Sequence, residues 1–437
     1  MVYKKVIPLL LIITGCTQLS YFDINYSVQG NTVLINTTSN ATITINQTST
    51  EFLYNIGDFW DDPYLDSGTN TYGIYLDWEW RLLEPIDDEF DWSPLNNMDI
   101  NSEGYFTQTV DHLILRLGFM ATSAWIHGTW GTKEDAGYPE WINPENLTLV
   151  EEEYLEFVEA LLNHLEFRPE YYLLEVELNA LAGNAGITNT QAIEWLEKLV
   201  NKIKDLDPDA QIIIDVAAQD LSPFMEEGRQ PVLIEQDLYP LRVNEWLERL
   251  EQINYEVIGY HMQPFGWMSE GNWTNARDAI ENLSVYNKSV YVTWAAFLSE
   301  EPVMNQEVEA FEYYPVNYSE EWQRDNTLLL MKYLLSNPQV IGVQWDYADF
   351  IEPDVGGLPD NPVKLATGFT KSYREVNELI IGDKKLVYEP MKSLWFEQLF
   401  NTTQSTGDGF LDFELTTGTY QITVTKGLIT KTITITV

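Results

Sequence analysis

Residues 171–181 read YYLLEVELNAL, a short apolar run that turns acidic directly after a stretch with helical periodicity. The run predicts a buried strand, in which alternate side chains point to the same face. Glu175, Glu177 and Asn179 would then share one face at the end of that strand. Because buried acidic groups are costly, their position at a strand end favours a functional site.

Strand patterns recur eight times along the chain, with helical patterns between several of them. The predicted strands are 52–58, 73–80, 112–118, 171–178, 211–217, 256–262, 289–295 and 340–346. Amphipathic helices are predicted over 150–166, 190–206, 242–252, 319–336 and 371–381. Eight strand-then-helix units within roughly 330 residues predict an α/β fold, a (β/α)8 TIM barrel.

The two ends of the chain differ in composition from this central part. Residues 17–50 are rich in Thr, Asn, Ile and Ser with a period of two, and residues 410–437 alternate in the same way. The turn at 408–410 and the Thr-Gly-Thr-Tyr at 417–420 resemble the end of a carboxypeptidase-regulatory-like β-sandwich. Since one hairpin ladder cannot bury a core alone, we predict that segments 17–50 and 386–437 form one discontinuous sandwich beside a barrel over 51–385.

Residues 1–16 have the pattern of an export signal. Lys4 and Lys5 precede an apolar stretch that is too short to span a bilayer and that ends at Cys16, the single cysteine. The ending resembles the lipobox of prokaryotic lipoproteins, which implies lipidation at Cys16; a plain signal peptide with an incidental cysteine is the alternative. We therefore expect an extracellular, cell-surface protein with a lipid anchor and no disulfides.

Sequons and charge extend this expectation. Asn-x-Ser/Thr sequons occur at Asn25, Asn36, Asn40, Asn46, Asn146, Asn272, Asn282, Asn287, Asn317 and Asn401, which predicts a surface glycoprotein of archaeal type. The chain has 68 acidic and 24 basic residues, a net charge of −44. This acidity argues against nucleic acid as a partner, because phosphate contacts need a basic surface. It argues equally against adhesion to an anionic membrane other than through the lipid anchor.

Several segments of the predicted barrel resemble clan A glycoside hydrolases, in particular xylanase-like and galactanase-like members. The similar segments are Trp80-Arg81-Leu82-Leu83-Glu84-Pro85 with Phe90-Asp91-Trp92, Pro139-Glu140-Trp141, Ile258-Gly259-Tyr260-His261, and Val343-Gln344-Trp345-Asp346 with Asp349. The resemblance covers about residues 52–382 and implies a barrel that cleaves sugars with two carboxylates. We expect no cofactor and no metal.

The resemblance places the proton donor of this clan at the end of the fourth strand. One alignment puts Asn179 at that position, and another puts Glu177 there with Val176 in place of the usual asparagine. Two neighbouring carboxylates raise the pKa of one of them, which suits Glu177 above Glu175 as an acid. A buried acid paired with Arg116 or His261 is the structural alternative.

The partner carboxylate is less defined. In the clan it follows a seventh-strand pattern similar to K-P-V-x-I-T-E, whereas here residues 288–293 are followed by Trp294. Asp346, after the eighth strand, is our candidate. The other acidic residues near predicted strand ends remain open as alternatives: Asp58, Asp77, Glu79, Asp215, Glu300, Glu301 and Asp349.

Aromatic residues cluster at predicted strand ends, where TIM-barrel sites lie. Indole rings stack on the apolar faces of sugars, so we predict a carbohydrate platform. The predicted substrate-binding residues are Asn179, Trp80, Trp125, His261, Gln263, Trp267, Trp294 and Trp345. The sequence thus predicts an exported glycoside hydrolase acting on extracellular polysaccharide. The alternative, favoured by Trp294, is a catalytically inactive barrel that binds carbohydrate or has a structural role at the cell surface.

Overall fold

The structure, a computed structural model, describes residues 24–29, 32–37, 42–50, 52–56, 70–76, 80–97, 112–119, 138–143, 146–165, 168–175, 178, 188–217, 246–262, 273–297, 299–300, 318–345, 350–352, 363–365, 370–375, 378–398, 401–405, 410–414, 418–426 and 429–436. The chain divides into two compact units. One comprises Phe52–Lys392, and the other combines Met1–Glu51 with Ser393–Val437.

The described strands, in chain order, are β1 (Ile24–Gln29), β2 (Thr32–Thr37), β3 (Thr42–Thr50), β4 (Leu53–Ile56), β5 (Thr71–Tyr75), β6 (His112–Leu117), β7 (Tyr171–Leu174), β8 (Gln211–Ala217), β9 (Val257–Met262), β10 (Ser289–Ala295), β11 (Val340–Trp345), β12 (Phe350–Glu352), β13 (Val363–Leu365), β14 (Thr370–Glu375), β15 (Glu378–Lys384), β16 (Asn401–Ser405), β17 (Phe410–Glu414), β18 (Gly418–Lys426) and β19 (Ile429–Thr436). The α-helices are α1 (Trp80–Leu83), α2 (Ser93–Asn97), α3 (Leu147–His164), α4 (Asn189–Leu206), α5 (Trp273–Asn282), α6 (Glu320–Ser336) and α7 (Tyr388–Gln398), and residues 246–250 are also helical.

Eight strands form one parallel sheet in the order β4-β11-β10-β9-β8-β7-β6-β5. Its two end strands meet through Asn70, whose backbone N–H donates to the Tyr54 carbonyl at 3.1 Å. The Asn70 side-chain oxygen accepts a second bond from the Tyr54 N–H at 2.8 Å. The sheet is therefore a nearly closed (β/α)8 TIM barrel, which confirms the predicted fold.

The helices between barrel strands follow the predicted periodicity. Helix α4 begins with a capping box in which Thr188 and Gln191 satisfy each other's backbone N–H groups. Its apolar stripe is buried, as expected for a helix that covers a barrel. The stripe residues are Ile193, Leu196, Leu199, Val200 and Ile203.

The predicted helix over 371–381 is wrong, because this segment contains strands β14 and β15, which pair antiparallel. Short apolar runs such as Leu379–Ile381 fit either a helical or a strand period, and here the strand pairing prevails. The predicted second strand is also too long. It ends at Tyr75, and Trp80 begins helix α1.

The barrel interior has an apolar layer and a polar layer. Six side chains from six different strands pack against one another. Side chains from so many strands can meet only inside the barrel, so these six fill its interior: Leu53, Ile114, Leu173, Ile213, Val257 and Tyr291. Because strand side chains alternate, the residues two or four positions further along each strand also face inward. Several of these are buried and polar, namely Asn55, Arg116, Asp215, His261 and Thr293. This polar layer lies toward the carboxyl ends of the strands, where TIM-barrel sites are found.

The second unit joins the two ends of the chain. Strands β1, β2 and β17 form one sheet, and β16, β3, β18 and β19 form another, so N-terminal strands pair with C-terminal ones. The apolar side of the second sheet is buried at Ile43, Tyr420, Ile422, Val424 and Ile435. That the two sheets stack as a sandwich stays a prediction.

Candidate functional site

The structure describes part of the predicted site. Glu175, Trp80, His261, Trp294 and Trp345 lie in described segments. The other predicted residues lie outside the described residues: Glu177, Asn179, Asp346, Trp125, Gln263, Trp267 and the lipidation residue Cys16. Among the described residues, no helix is both long and apolar enough to cross a membrane, and no cluster of acidic, His or Cys side chains has the makings of a metal site.

Three neighbouring strands contribute a hydrogen-bonded cluster to the polar layer. The Thr293 hydroxyl on β10 donates to Asp215 Oδ1 on β8 at 2.5 Å. The other carboxylate oxygen, Oδ2, lies 3.5 Å from His261 Nδ1 on β9. Asp215 is fully buried, and His261 is only 3% exposed. A buried carboxylate in this geometry fixes the orientation of the imidazole ring.

A glycine makes this cluster possible. Asp215 on β8 reaches Thr293 on β10 across the intervening strand β9, where Gly259 stands. A Cβ atom at Gly259 would lie 2.9 Å from Asp215 Cα and 3.0 Å from its Oδ1. Real Cβ atoms do not approach other atoms so closely. The absence of a side chain at Gly259 therefore leaves the space that the Asp215 side chain needs to reach Thr293.

An extra residue in β10 brings Trp294 to the same side. Tyr291 pairs with Gly259 and Trp294 with His261, so three steps on β10 match two steps on β9. The same extra residue appears against β11, between Val292 and Ala295. Such a bulge breaks the alternation of side chains. As a result, Thr293 and the next residue, Trp294, both contact the interior cluster.

Trp294 packs edge-on against His261, with ring centroids 4.9 Å apart and an interplanar angle of 62°. Its indole Nε1 is buried, and no described residue accepts a hydrogen bond from it. A buried donor of this kind is stabilised when a ligand oxygen accepts from it. His261 and Trp294, both predicted to bind substrate, are therefore adjacent.

Glu175 has a different environment from the one predicted. Strand β7 ends at Leu174, and Glu175 has a positive φ of 50°. Its Oε1 accepts hydrogen bonds from the Trp195 indole N–H at 2.6 Å and from the Phe119 N–H at 3.1 Å. Trp195 belongs to helix α4, so the carboxylate links the end of β6 to the helix layer.

The predicted strand over 171–178 is therefore too long, because it ends at Leu174, and Glu177 and Asn179 lie outside the described residues. The left-handed backbone at Glu175 interrupts the strand, and alternation holds only within a continuous strand. Glu175 is 1% exposed and is already engaged by two donors. This placement makes it a structural carboxylate and argues against the predicted catalytic role.

Trp80 lies in the core and not at the rim of a cleft. It is 2% exposed, its indole N–H donates to Glu84 Oε2 at 2.7 Å, and its ring packs edge-on against Tyr154 at 5.0 Å. Trp345 is fully buried as well. Neither ring has a face open to a sugar in this structure, because both rings are buried, so these two predicted stacking roles are not supported.

Glu84, from the motif that first suggested the resemblance, is buried beneath Trp80. Burial raises the pKa of Glu84 to about 7, and repulsion from Glu153 and Asp87 adds to the effect. The hydrogen bonds from Trp80 and from the Asp88 N–H oppose it. The group lies in the aromatic core between the loop after β5 and helix α3 and contacts no residue of the Asp215 cluster in the described part of the chain.

Thr293 has no role among the sequence predictions, and Asp215 is only one of several candidate partner carboxylates there. The sequence could have identified Asp215, because it is the single acidic residue in the apolar run QIIIDVA and lies two residues after Ile213, on the same face of the strand. Thr293 had no such signal, because its contact with Asp215 depends on strand order and on Gly259.

No family model matches the chain, and no curated protein matches it in sequence. Among solved structures, native xylanase 10B from Thermotoga maritima matches with a TM-score of 0.50 and 15% identity, over 80% of this chain and 96% of that one. A GH53 catalytic domain from Ignisphaera aggregans (TM-score 0.44, 13% identity, 80% and 96% covered) and a β-glycosidase from Pyrococcus horikoshii (0.46, 13%, 76% and 82%) are more distant and carry no argument. At such identities the likeness shows the fold alone. The chain thus has a barrel fold similar to that of the xylanase.

Proposed function

We propose that this protein is an exported, lipid-anchored glycoside hydrolase that acts on extracellular polysaccharide, with Glu177 as the proton donor. The observation that carries the proposal is the polar layer at the carboxyl ends of the barrel strands, in which Asp215, His261 and Thr293 are joined. The barrel fold, similar to that of a xylanase, supports the same reading.

The polar layer supports function because it is costly to the fold. Burying a carboxylate, an imidazole and a guanidinium in a barrel interior costs free energy that an apolar layer would avoid. Asp215, His261 and Arg116 are all less than 9% exposed, directly above an apolar layer that already fills the interior. Sugar hydroxyls are the ligands that such a set of donors and acceptors, flanked by an indole, would bind.

The test is hydrolysis of a polysaccharide panel that contains xylan, galactan, arabinogalactan, cellulose and β-1,3-glucan, measured as release of reducing ends. We expect the wild type to hydrolyse at least one polymer and Glu177→Gln to lose activity about 10²-fold or more, since the variant cannot donate a proton. Glu197→Gln, at an exposed position of helix α4, is the matched control and should keep wild-type activity. A wild-type rate in Glu177→Gln would exclude that residue as the donor.

A second function is favoured by one specific observation. Trp294 stands where the resemblance expects the second carboxylate, so a barrel that binds carbohydrate without cleaving it is the alternative. Affinity electrophoresis in gels containing the same polymers distinguishes a binding protein from a hydrolase. Retarded migration of the wild type, together with no release of reducing ends, would support the binding protein.

The roles of the remaining site residues belong to the same proposal. Asn179, Trp125, Gln263 and Trp267 are proposed to contact the sugar, and Asp346 is proposed as an acidic partner. Lipidation is tested separately: Cys16→Ser should shift the protein from the membrane fraction to the soluble fraction of the cells that export it.

A further inference from the structure

The strand end that lacks the expected carboxylate lies beside a carboxylate–imidazole pair. Trp294 occupies the position that the resemblance assigns to a nucleophile, and its ring touches His261 at a centroid distance of 4.9 Å. His261 in turn faces Asp215 through Nδ1. A group able to take a proton is therefore adjacent to the place where a retaining glycosidase would have its nucleophile.

The pair has the parts that a general base needs. The Asp215 carboxylate is held on one side by the Thr293 hydroxyl, so it cannot rotate freely, and its other oxygen faces His261 Nδ1. A fixed carboxylate at Nδ1 orients the ring, leaves Nε2 as the nitrogen that takes a proton, and stabilises the imidazolium that results. The 3.5 Å separation is long, as is common for such pairs before substrate binds.

Charge in the cluster is consistent with a proton acceptor. Asp215 is fully buried, so solvent screens its attraction for the ring only weakly. Arg116 on β6 belongs to the same polar layer. In its described part the layer thus contains a guanidinium, the His261 imidazole on β9 and the Asp215 carboxylate on β8.

Resting on the proposed function, we propose that His261 is the general base of an inverting hydrolysis and that Asp215 positions it. His261 Nε2 takes a proton from a water molecule, and the water oxygen forms the new bond to the anomeric carbon. The bond from that carbon to the leaving oxygen breaks, its electron pair stays on the oxygen, and Glu177 supplies the proton that neutralises it. No carboxylate nucleophile is needed at Trp294, and no covalent intermediate forms.

The Trp294 indole has a place in this scheme. No described residue accepts a hydrogen bond from its buried Nε1–H. This group can therefore donate to the attacking water or to a neighbouring sugar hydroxyl. The bulge in β10 is what turns this indole toward His261. Trp294, which replaces the expected nucleophile, would thus serve a reaction of a different stereochemistry.

The experiment is proton NMR of the first-formed product anomer, with the full-length protein and the β-1,4-linked hexasaccharides of xylose and galactose. If neither is cleaved, the linear oligosaccharide of whichever panel polymer is hydrolysed takes their place. The proposal predicts that a β-linked substrate first yields the α-anomer. It also predicts that His261→Gly lowers the rate about 10²- to 10⁴-fold and that added imidazole restores part of it, because free imidazole can enter the space and accept the proton.

Asp215→Asn and Thr293→Val separate positioning from folding. Asp215→Asn should lower kcat without a comparable change in KM, and Thr293→Val, which keeps both members of the pair, should lower kcat by about tenfold or less. Appearance of the β-anomer first, or no imidazole rescue in a folded His261→Gly variant, overturns the general base while the glycoside hydrolase proposal stands. No hydrolysis of any polymer by the wild type overturns both.

Discussion

The ends of strands β7 and β10 make an instructive pair, because each carries a residue that the sequence predicts to face a sugar. At the end of β7 the backbone of Glu175 turns left-handed, and its carboxylate joins the helix layer through Trp195. At the end of β10 an extra residue brings Trp294 against His261 in the barrel interior. In both places a local change of one residue decides which side of the sheet a side chain reaches.

The difference separates structure from function within one barrel. The Glu175 contacts hold the end of β6, the end of β7 and helix α4 together, so breaking them should reduce stability first. The Asp215 cluster joins three adjacent strands and lies beside Trp294, so breaking it should reduce function first. Variants at each strand end test this division.

The largest expected effect is at Gly118, which faces Glu175. Gly118 has a φ of 149°, and a Cβ atom there would lie 2.5 Å from Glu175 Oε2. Both strain and overlap follow from Gly118→Ala, so we expect a loss of about 2–4 kcal/mol in the free energy of unfolding. Urea denaturation followed by tryptophan fluorescence measures it.

A double variant checks the cause of that loss. In a Glu175→Ala background the overlap disappears and only the backbone strain remains. Gly118→Ala should then cost at least about 1 kcal/mol less than it does in the wild type. Equal costs in both backgrounds would show that the carboxylate does not determine the effect.

A somewhat smaller effect is expected at Gly259, on the functional side of the comparison. Gly259→Ala places a Cβ atom 2.9 Å from Asp215 Cα and 2.9 Å from Ile213 Cγ2. We expect about 1–3 kcal/mol of destabilisation, as for other overpacked sites, and a loss of any hydrolytic activity that exceeds the fraction unfolded. Activity measured at a temperature where circular dichroism shows a fully folded variant separates the two, and normal activity there would contradict the role of the cluster.

The indole contact of Glu175 should matter less than the overlap. Trp195→Phe removes the N–H that donates to Oε1 at 2.6 Å and leaves a buried carboxylate with one donor fewer. A loss of about 1–2 kcal/mol is expected, since hydrogen bonds to charged groups are worth roughly this much. In a Glu175→Gln background the same substitution should cost less, and an unchanged cost would point to lost packing instead.

An effect of similar size concerns pH and Glu84, in the aromatic core beside helix α3. The pKa of Glu84 is about 7 in the folded protein and 4.5 in the unfolded chain, so the folded state holds more protons between these values. The contribution of Glu84 to the stability of the wild type therefore falls as pH rises from about 4.5 to 7, because the unfolded state releases the proton first.

Glu84→Gln removes this dependence. Between pH 5 and pH 8 the unfolding free energy of the variant should rise relative to that of the wild type by about 1–2 kcal/mol, after allowance for solvent screening. Thermal denaturation at both pH values measures the change. Glu89→Gln, at an exposed position of the same loop, is the control and should leave the profile as it is.

Much of the fold was predictable because it depends on repeated patterns. Eight short strands with helices between them identify a barrel regardless of where each loop runs. The strands at the two chain ends, such as β3 and β18, were predictable from their period of two.

The site was less predictable because it depends on single backbone conformations. A glutamate at positive φ has no sequence signature, since this conformation is rare for every residue with a Cβ except Asn and Asp. The bulge between Tyr291 and Trp294 contains no glycine that would announce it. Burial of Trp80 and Trp345 depends on neighbours from distant segments, so the sequence could not separate core indoles from rim indoles.

The most direct test of the division between the two strand ends compares His261→Gln with Glu175→Gln on the polymer that the wild type hydrolyses. Initial rates are measured per folded molecule, with thermal midpoints recorded for both variants. The account predicts a rate about 10²-fold lower or more for His261→Gln, and a lowered midpoint with a rate within about tenfold of wild type for Glu175→Gln. The reverse result, full activity in His261→Gln and a well-folded but inactive Glu175→Gln, would contradict it.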